Sequence, residues 1–200
     1  LPTTFVAPGV NNRWLFEHDV AQRIESYRKA IASLSNPIHQ MFFRAILGGF
    51  LVEVSNVLIS GKGRRYRQNW QLRKQSPETV DQQFLNRVQK ALYEIARYAS
   101  RPVSKYTLIR GDCRETIANA PMADLAVFSP PYPNSFDYTD VYNVELWVLG
   151  YLNDSADNRS LRQSTLASHV QIQRNYAPRP LGSATLDDVS KKLHASRELL

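Results

Sequence analysis

Cysteine is almost missing from this chain: its 200 residues contain one, Cys113. A single thiol excludes an internal disulfide and any zinc site built on several cysteines, and a reducing cytoplasm is the expected setting. The four histidines, His18, His39, His169 and His194, are scattered without metal-ligand spacing, so no metal is expected. No apolar run approaches the ~20 residues that cross a bilayer. The opening Leu-Pro-Thr-Thr shows neither the basic nor the apolar region of a secretory signal. It also lacks an initiator Met, so a longer parent chain is expected. There is no internal repeat. Acidic residues are absent from 62 to 74, where Lys62, Arg64, Arg65, Arg67, Arg73 and Lys74 supply six positive charges against a net charge of +7 for the whole chain.

What is present suffices for a core. Apolar residues make up 43% of the chain, with ten tyrosines and eight phenylalanines, which fits one domain or a domain with an insertion. The basic stretch points to a polyanionic partner or to a solvated loop, and charge alone does not choose. Tyr66 and Trp70 lie among its arginines, an interleaving that suits base stacking beside phosphate contacts. Ser60-Gly-Lys-Gly63 lacks the full spacing of a phosphate-binding loop.

Helical periodicity begins near Glu17, with Val20, Ile24, Tyr27, Ile31 and Leu34 three and four residues apart. Asn36-Pro37 ends that helix and starts a second, apolar one through 39–57, weakened at Gly48-Gly49. Ser76-Pro77-Glu78 opens a third, with Val80, Phe84, Val88, Ala91, Leu92 and Ile95 on its apolar face as far as Tyr98. After residue 100 the pattern changes. Residues 105–109 read as a strand, Arg110-Gly-Asp-Cys113 as a turn, 114–120 as a short helix, and 124–128 as a buried strand running into Ser129-Pro-Pro-Tyr132. Strand, turn, helix and strand in that order are the unit of a parallel, doubly wound sheet, whose ligands bind beyond the carboxyl edge. A loop over 134–137 leads to a helix over 138–151 with Val141, Leu146 (or Glu145) and Leu149 turned inward. Residues 153–179, polar and arginine-bearing, read as a loop excursion or a second nucleic-acid surface, and 185–200 as a last amphipathic helix.

Ser129-Pro-Pro-Tyr132 after a strand resembles the catalytic motif of the amino-group DNA methyltransferases, which methylate cytosine N4 or adenine N6 from S-adenosylmethionine. The serine form is associated mainly with the N4-cytosine enzymes. Ile109-Arg-Gly-Asp-Cys113 is similar to the family's preceding Gly-Asp segment. Asn134-Ser-Phe-Asp-Tyr138, Glu145-Leu-Trp-Val-Leu-Gly150 and, more loosely, Val54-Ser-Asn-Val57 with Ser60-Gly-Lys-Gly-Arg-Arg-Tyr66 are similar to segments of bacterial methylases. The competing readings are a structural turn and a Pro-x-x-Pro ligand made by Pro130 and Pro133, and such a ligand belongs in an accessible segment rather than at the end of a core strand.

The resemblance implies a Rossmann-like α/β methyltransferase fold and assigns roles residue by residue. The Ser129 side chain and the Pro130 carbonyl accept from the target amino group, Pro131 helps hold them rigid, and Tyr132 stacks on the flipped base. Gly111, Asp112 and Cys113 line the cofactor site, with Asp112 at the adenosine end of S-adenosylmethionine. Lys62, Arg64, Arg65, Tyr66 and Arg67 are the candidate contacts to double-stranded DNA. The family's Phe-x-Gly-x-Gly turn, which cradles the methionine end of the donor, is matched by none of the eight glycines. That turn is therefore expected before Leu1, after Leu200 or on a second subunit, and the chain alone is expected to bind the donor poorly. The implied organisation is a helical region or insertion over 1–100 with a basic loop at 61–74, a catalytic α/β segment over 101–152, and a polar loop with a C-terminal helix over 153–200. A cytoplasmic bacterial or phage restriction–modification or host-protection enzyme is the expectation. The alternatives are an RNA or protein amino-group methyltransferase and a catalytically silent nucleic-acid-binding partner of a methylase.

Overall fold

A computed structural model describes residues 1–60, 63–102, 104–129, 137–165, 180 and 182–198. Three helices carry the core: α1 (His18–Ala32), α2 (Pro37–Gly48) and α3 (Pro77–Tyr98). The helix over 39–57 expected from sequence stops at Gly48. Beyond it, turns over 49–56 fold Phe50, Leu51 and Val54 into the core. Asn36 caps α2 as the Asn-Pro pair predicts, its Oδ1 accepting from the Ile38 amide at 2.8 Å with Pro37 in the first turn. Phe84 of α3 is the aromatic hub. Its ring stacks on Tyr27 of α1 at 4.4 Å and on Phe43 of α2 at 6.0 Å, and meets the Phe50 ring edge-on at 6.4 Å. One turn earlier, Asp81 accepts from the Tyr27 hydroxyl at 2.9 Å. The Tyr27 phenol is pushed up to about 12, first by burial and then by the Asp81 carboxylate.

Only the first half of α3's apolar stripe is used. Val80 and Phe84 are buried, but Leu92 is 54% and Ile95 57% exposed, against the inward facing expected of them. The reason is length. At ~1.5 Å per residue, the 22 residues of α3 run past partners of 15 and 12 residues.

Where a break at Ser60–Gly63 and a basic loop over 61–74 were expected, two strands pair antiparallel as a hairpin, β1 (Val57–Ser60) and β2 (Gly63–Tyr66). Its register pairs Val57 with Tyr66 and Ser60 with Gly63. The two-residue spacer Gly61-Lys62 between the strands was the available signal. Buried Asn56 knits this hairpin to the N-terminal segment. Its amide donates to the Leu15 carbonyl at 2.8 Å, and its own carbonyl accepts from the Arg67 amide at 3.0 Å.

After residue 102 the short helix appears as α4 (Cys113–Thr116), continued by a 3-10 turn over Ile117–Asn119. The expected strands do not appear. Residues 105–109 and 125–128 have no regular secondary structure, and Leu125, Val127 and Phe128 are 77%, 87% and 81% exposed rather than buried. A parallel strand needs neighbours and a helix over each face, and the hairpin is the only sheet among the described residues.

The helix expected over 138–151 is broken at Tyr142 into α5 (Tyr138–Val141) and α6 (Asn143–Val148). Its inward residues are Val141, Val144 and Val148, while Leu146 and Leu149 are half-buried. Val144 and Val148 join the same core as α1–α3, so a division of the chain near residue 100 does not divide the core. α2 and the end of α6 meet closely: Arg44 donates to the Leu149 carbonyl at 2.8 Å, and a Cβ on Gly48 would lie 2.9 Å from Leu149 Cδ1. Within the stretch expected to be loop, Asp154 caps α7 (Ser155–Ser164). The last helix is α8 (Ala184–Glu198). No helix among the described residues is long and apolar enough to cross a membrane.

Candidate functional site

The Gly111-Asp112 turn is built as a helix start. The Asp112 carbonyl accepts from the Glu115 and Thr116 amides, both at 2.9 Å, and from the Thr116 hydroxyl at 3.0 Å. Gly111 takes φ +155°, and a Cβ there would stand 2.6 Å from Thr116 Cγ2, so a larger residue would be strained and would push the Thr116 side chain aside. Cys113 follows as an exposed free thiol. Ser129 is exposed at the end of the apolar 125–128 segment. Pro130, Pro131, Tyr132 and Lys62, and residues 134–136 of the loop expected over 134–137, lie outside the described residues.

Downstream of the motif the chain is firmly held. Asp137 is buried and caps α5, accepting from the Thr139 amide at 3.0 Å and the Asp140 amide at 3.2 Å. It also accepts from the Thr139 hydroxyl and pairs with Arg162 of α7. Asp140, one turn on, reaches the hairpin: its Oδ2 accepts from the Arg64 amide at 2.9 Å.

That contact changes how the basic stretch is used. Successive strand residues point to opposite faces, and here Arg65 is exposed while Arg64 is half-buried. The Arg64 guanidinium lies 5.8 Å over the Phe5 ring, with its Nη1 buried. Its charge acts on Glu145 of α6, whose carboxyl is pushed up by burial and partly drawn back by Arg64. Arg67 spends its side chain on the carbonyls of Ser55 at 3.3 Å and Val52 at 3.1 Å. Tyr66 packs on Trp70 at 4.9 Å and against the core, with the Arg13 guanidinium 5.8 Å over its ring, so the ring is a core wall more than a free stacking plate. Arg73 donates to the Glu53 carbonyl at 2.6 Å. Of the described basic residues from 63 to 74, only Arg65 and Lys74 are exposed, and Arg65 contacts Ser60 within the hairpin.

The structure thus brings the hairpin bearing Arg64 and Arg65 against the helix that follows Ser129-Pro-Pro-Tyr132. Sequence reasoning did not single out Asp137, Asp140 or Arg162. An Asp ahead of Tyr-Thr-Asp-Val is a helix-cap signal, which could have found Asp137. Nothing local could have paired Asp140 with a strand 76 residues away. No group of three or more His, Cys, Asp or Glu side chains is gathered among the described residues.

No protein-family model matches this chain, and neither does any curated protein or solved structure.

Proposed function

We propose that this chain carries the catalytic-motif segment of an S-adenosylmethionine-dependent amino-methyltransferase acting on double-stranded DNA, with cytosine N4 as the first expected target. The observation that carries the reading is the order Gly111-Asp112 turn, short helix, apolar segment, Ser129-Pro-Pro-Tyr132 and anchored α5, with Ser129 exposed where a substrate can reach it. A base amino group is a poor nucleophile because its lone pair is delocalised into the ring. Acceptors at Ser129 Oγ and the Pro130 carbonyl favour the pyramidal, nucleophilic nitrogen and stabilise the charge that develops on it. Tyr132 offsets part of the unstacking of the flipped base. S-adenosylmethionine, when bound, supplies the electrophilic methyl. The resemblance puts the adenosine end of that donor at the Gly111-Asp112 turn, with Asp112 as the holding carboxylate. The methionine end has no glycine-rich turn in this sequence to hold it.

The test is labelled-methyl transfer from S-adenosylmethionine to duplex DNA, duplex RNA and protein by the full-length protein, followed by mass spectrometry of the nucleosides. Methyl on cytosine N4 that disappears with Ser129→Ala, while DNA binding persists, supports the reading. Full activity of Ser129→Ala refutes it, and label in RNA or protein alone moves the substrate class. Exposure of 125–129 favours one second reading, a Pro-x-x-Pro ligand at Pro130 and Pro133. Capture by a polyproline-binding domain that is lost with Pro133→Ala would select it.

A further inference from the structure

We propose that the cleft between α1, α2 and the turn that ends α6 binds a small organic phosphate monoester, its dianionic phosphate held by Arg28, Lys29 and Arg44 and its apolar body lying on Ile31 and Leu47. The proposal does not rest on the methyltransferase reading. The cleft has a volume of about 390 Å³, within the range of roughly 300–1,000 Å³ of small-molecule sites. Its lining carries three cations, Arg28, Lys29 and Arg44, against one carboxylate, Glu25, which leaves two positive charges. Ile31 and Leu47 supply an apolar floor and are 5% and 0% exposed.

Helical spacing builds this wall. Glu25, Arg28, Lys29 and Ala32 recur three and four residues apart and so share one face of α1, while α2 brings Arg44 and Leu47 three apart. Structural duties use only part of the charge. Glu25 Oε2 accepts from Arg28 Nη1 at 2.8 Å and lies 3.6 Å from the Leu1 amino group. Arg44 donates through Nη2 to the Leu149 carbonyl at 2.8 Å, with its guanidinium 5.1 Å over the Tyr151 ring. Arg28 Nη2, Arg44 Nη1 and Lys29 Nζ have no hydrogen bond or ion pair among the described residues. Gly150 leaves room for the first of these: its φ is +76°, and a Cβ there would press on Arg28 Nη2 at 3.3 Å. Two guanidiniums with donors to spare suit the several acceptor oxygens of a phosphate. A duplex backbone spreads its phosphates along an open surface, whereas a recess of this size suits a single small anion.

Isothermal titration of the full-length protein with phenyl phosphate at pH 8 tests this. Saturable one-to-one binding with Kd below about 1 mM is expected, and its absence overturns the proposal. Phenyl sulfate, with one charge fewer, should bind at least about fivefold more weakly; equal affinity overturns the preference for a dianion. Inorganic phosphate, without the ring, should bind about tenfold more weakly; equal affinity overturns the apolar seat. Arg28→Ala should weaken phenyl phosphate binding about tenfold, since a charge-assisted bond is lost at a partly screened site. Lys29→Glu alters an exposed side chain and should weaken it about fivefold, a test that holds even where Arg28→Ala does not fold. Glu25→Gln removes the one carboxylate and frees Arg28 Nη1, so affinity should rise about two- to fivefold, a gain that loss of structure does not mimic. Arg65→Ala, on the hairpin, should leave affinity within about twofold. Affinity unchanged in Lys29→Glu, or lost in Arg65→Ala, overturns the assignment to this cleft. Absent phenyl phosphate binding together with duplex DNA binding that Lys29→Glu weakens makes the cleft part of a nucleic-acid surface and overturns the small ligand.

Discussion

Replacing Asp137 with alanine is the sharpest perturbation of the segment that follows the motif. Its carboxylate is the cap of α5 and the partner of Arg162, and it is buried. Loss of an Asp cap costs about 1 kcal/mol, within a range of roughly 0.5–2. A charge-assisted bond is worth roughly 1.5–3 kcal/mol when buried, but the Arg162 side chain is 28% exposed. Solvent screening reduces that contribution to about 1–2 kcal/mol. The expected loss is therefore about 2–4 kcal/mol, which for a chain this long is a fall in Tm of about 4–16 °C. Asp137→Asn keeps a cap acceptor and removes the charge, so it should lose only about 1–2 kcal/mol. Urea unfolding followed by far-UV circular dichroism gives these values, provided the m-value is unchanged. A double-mutant cycle with Arg162→Met isolates the pair, with a coupling of about 1 kcal/mol expected. Asp137→Ala within about 0.5 kcal/mol of wild type, which is the range of an ordinary surface substitution, would refute the reasoning. So would a cycle that is simply additive.

The two arginines two residues apart should behave differently. Arg65→Ala should weaken duplex DNA binding and flatten its salt slope by about 1, whereas Arg67→Ala should lower stability by about 1–2 kcal/mol and leave the slope alone. A slope that changes only in Arg67→Ala would reverse the assignment. Tyr27 has its folded pKa raised from 10.0 to about 12, so its contribution to stability is present below pH 10 and lost as pH rises through 12. In a 295 nm titration its phenolate should ionise late, and Tyr27→Phe should remove that late component; no difference between the two curves would contradict the Asp81 bond. Glu145 is also raised, so burying it costs stability at neutral pH and not below its ordinary value of 4.5. Glu145→Gln should be at least as stable as wild type at pH 7, with the gap closing as pH falls below 4.5; a less stable variant at pH 7 would mean that Arg64 needs the charge.

Much of the helical region could be read along the chain because its signals are local. Val20, Ile24 and Ile31 recur at helical spacing, Asn36-Pro37 and Ser76-Pro77 mark starts, and α1, α2 and α3 begin where those residues say. The Gly-Asp turn and α4 were legible for the same reason, since capping bonds span four residues. The basic stretch was legible as charge and misleading as a surface. Charge is a property of sequence, but whether a guanidinium faces phosphate or a carbonyl depends on strand alternation and on what lies beneath the strand. Arg67 sits over Val52 and Ser55 because the hairpin folds back on the turns after α2.

By itself the sequence determined where helices start, which faces are apolar, and that Ser129-Pro-Pro-Tyr132 follows a Gly-Asp segment. These rest on contacts within a few residues, where chain connectivity already places the partners. Tertiary structure alone decided how far those faces are buried. It left the end of α3 and residues 125–128 uncovered, turned Arg64 inward and joined Asp140 to Gly63-Arg64 across 76 residues. Such a pairing depends on packing geometry, and a carboxylate at position 140 looks the same in the sequence whether it faces water or a strand amide.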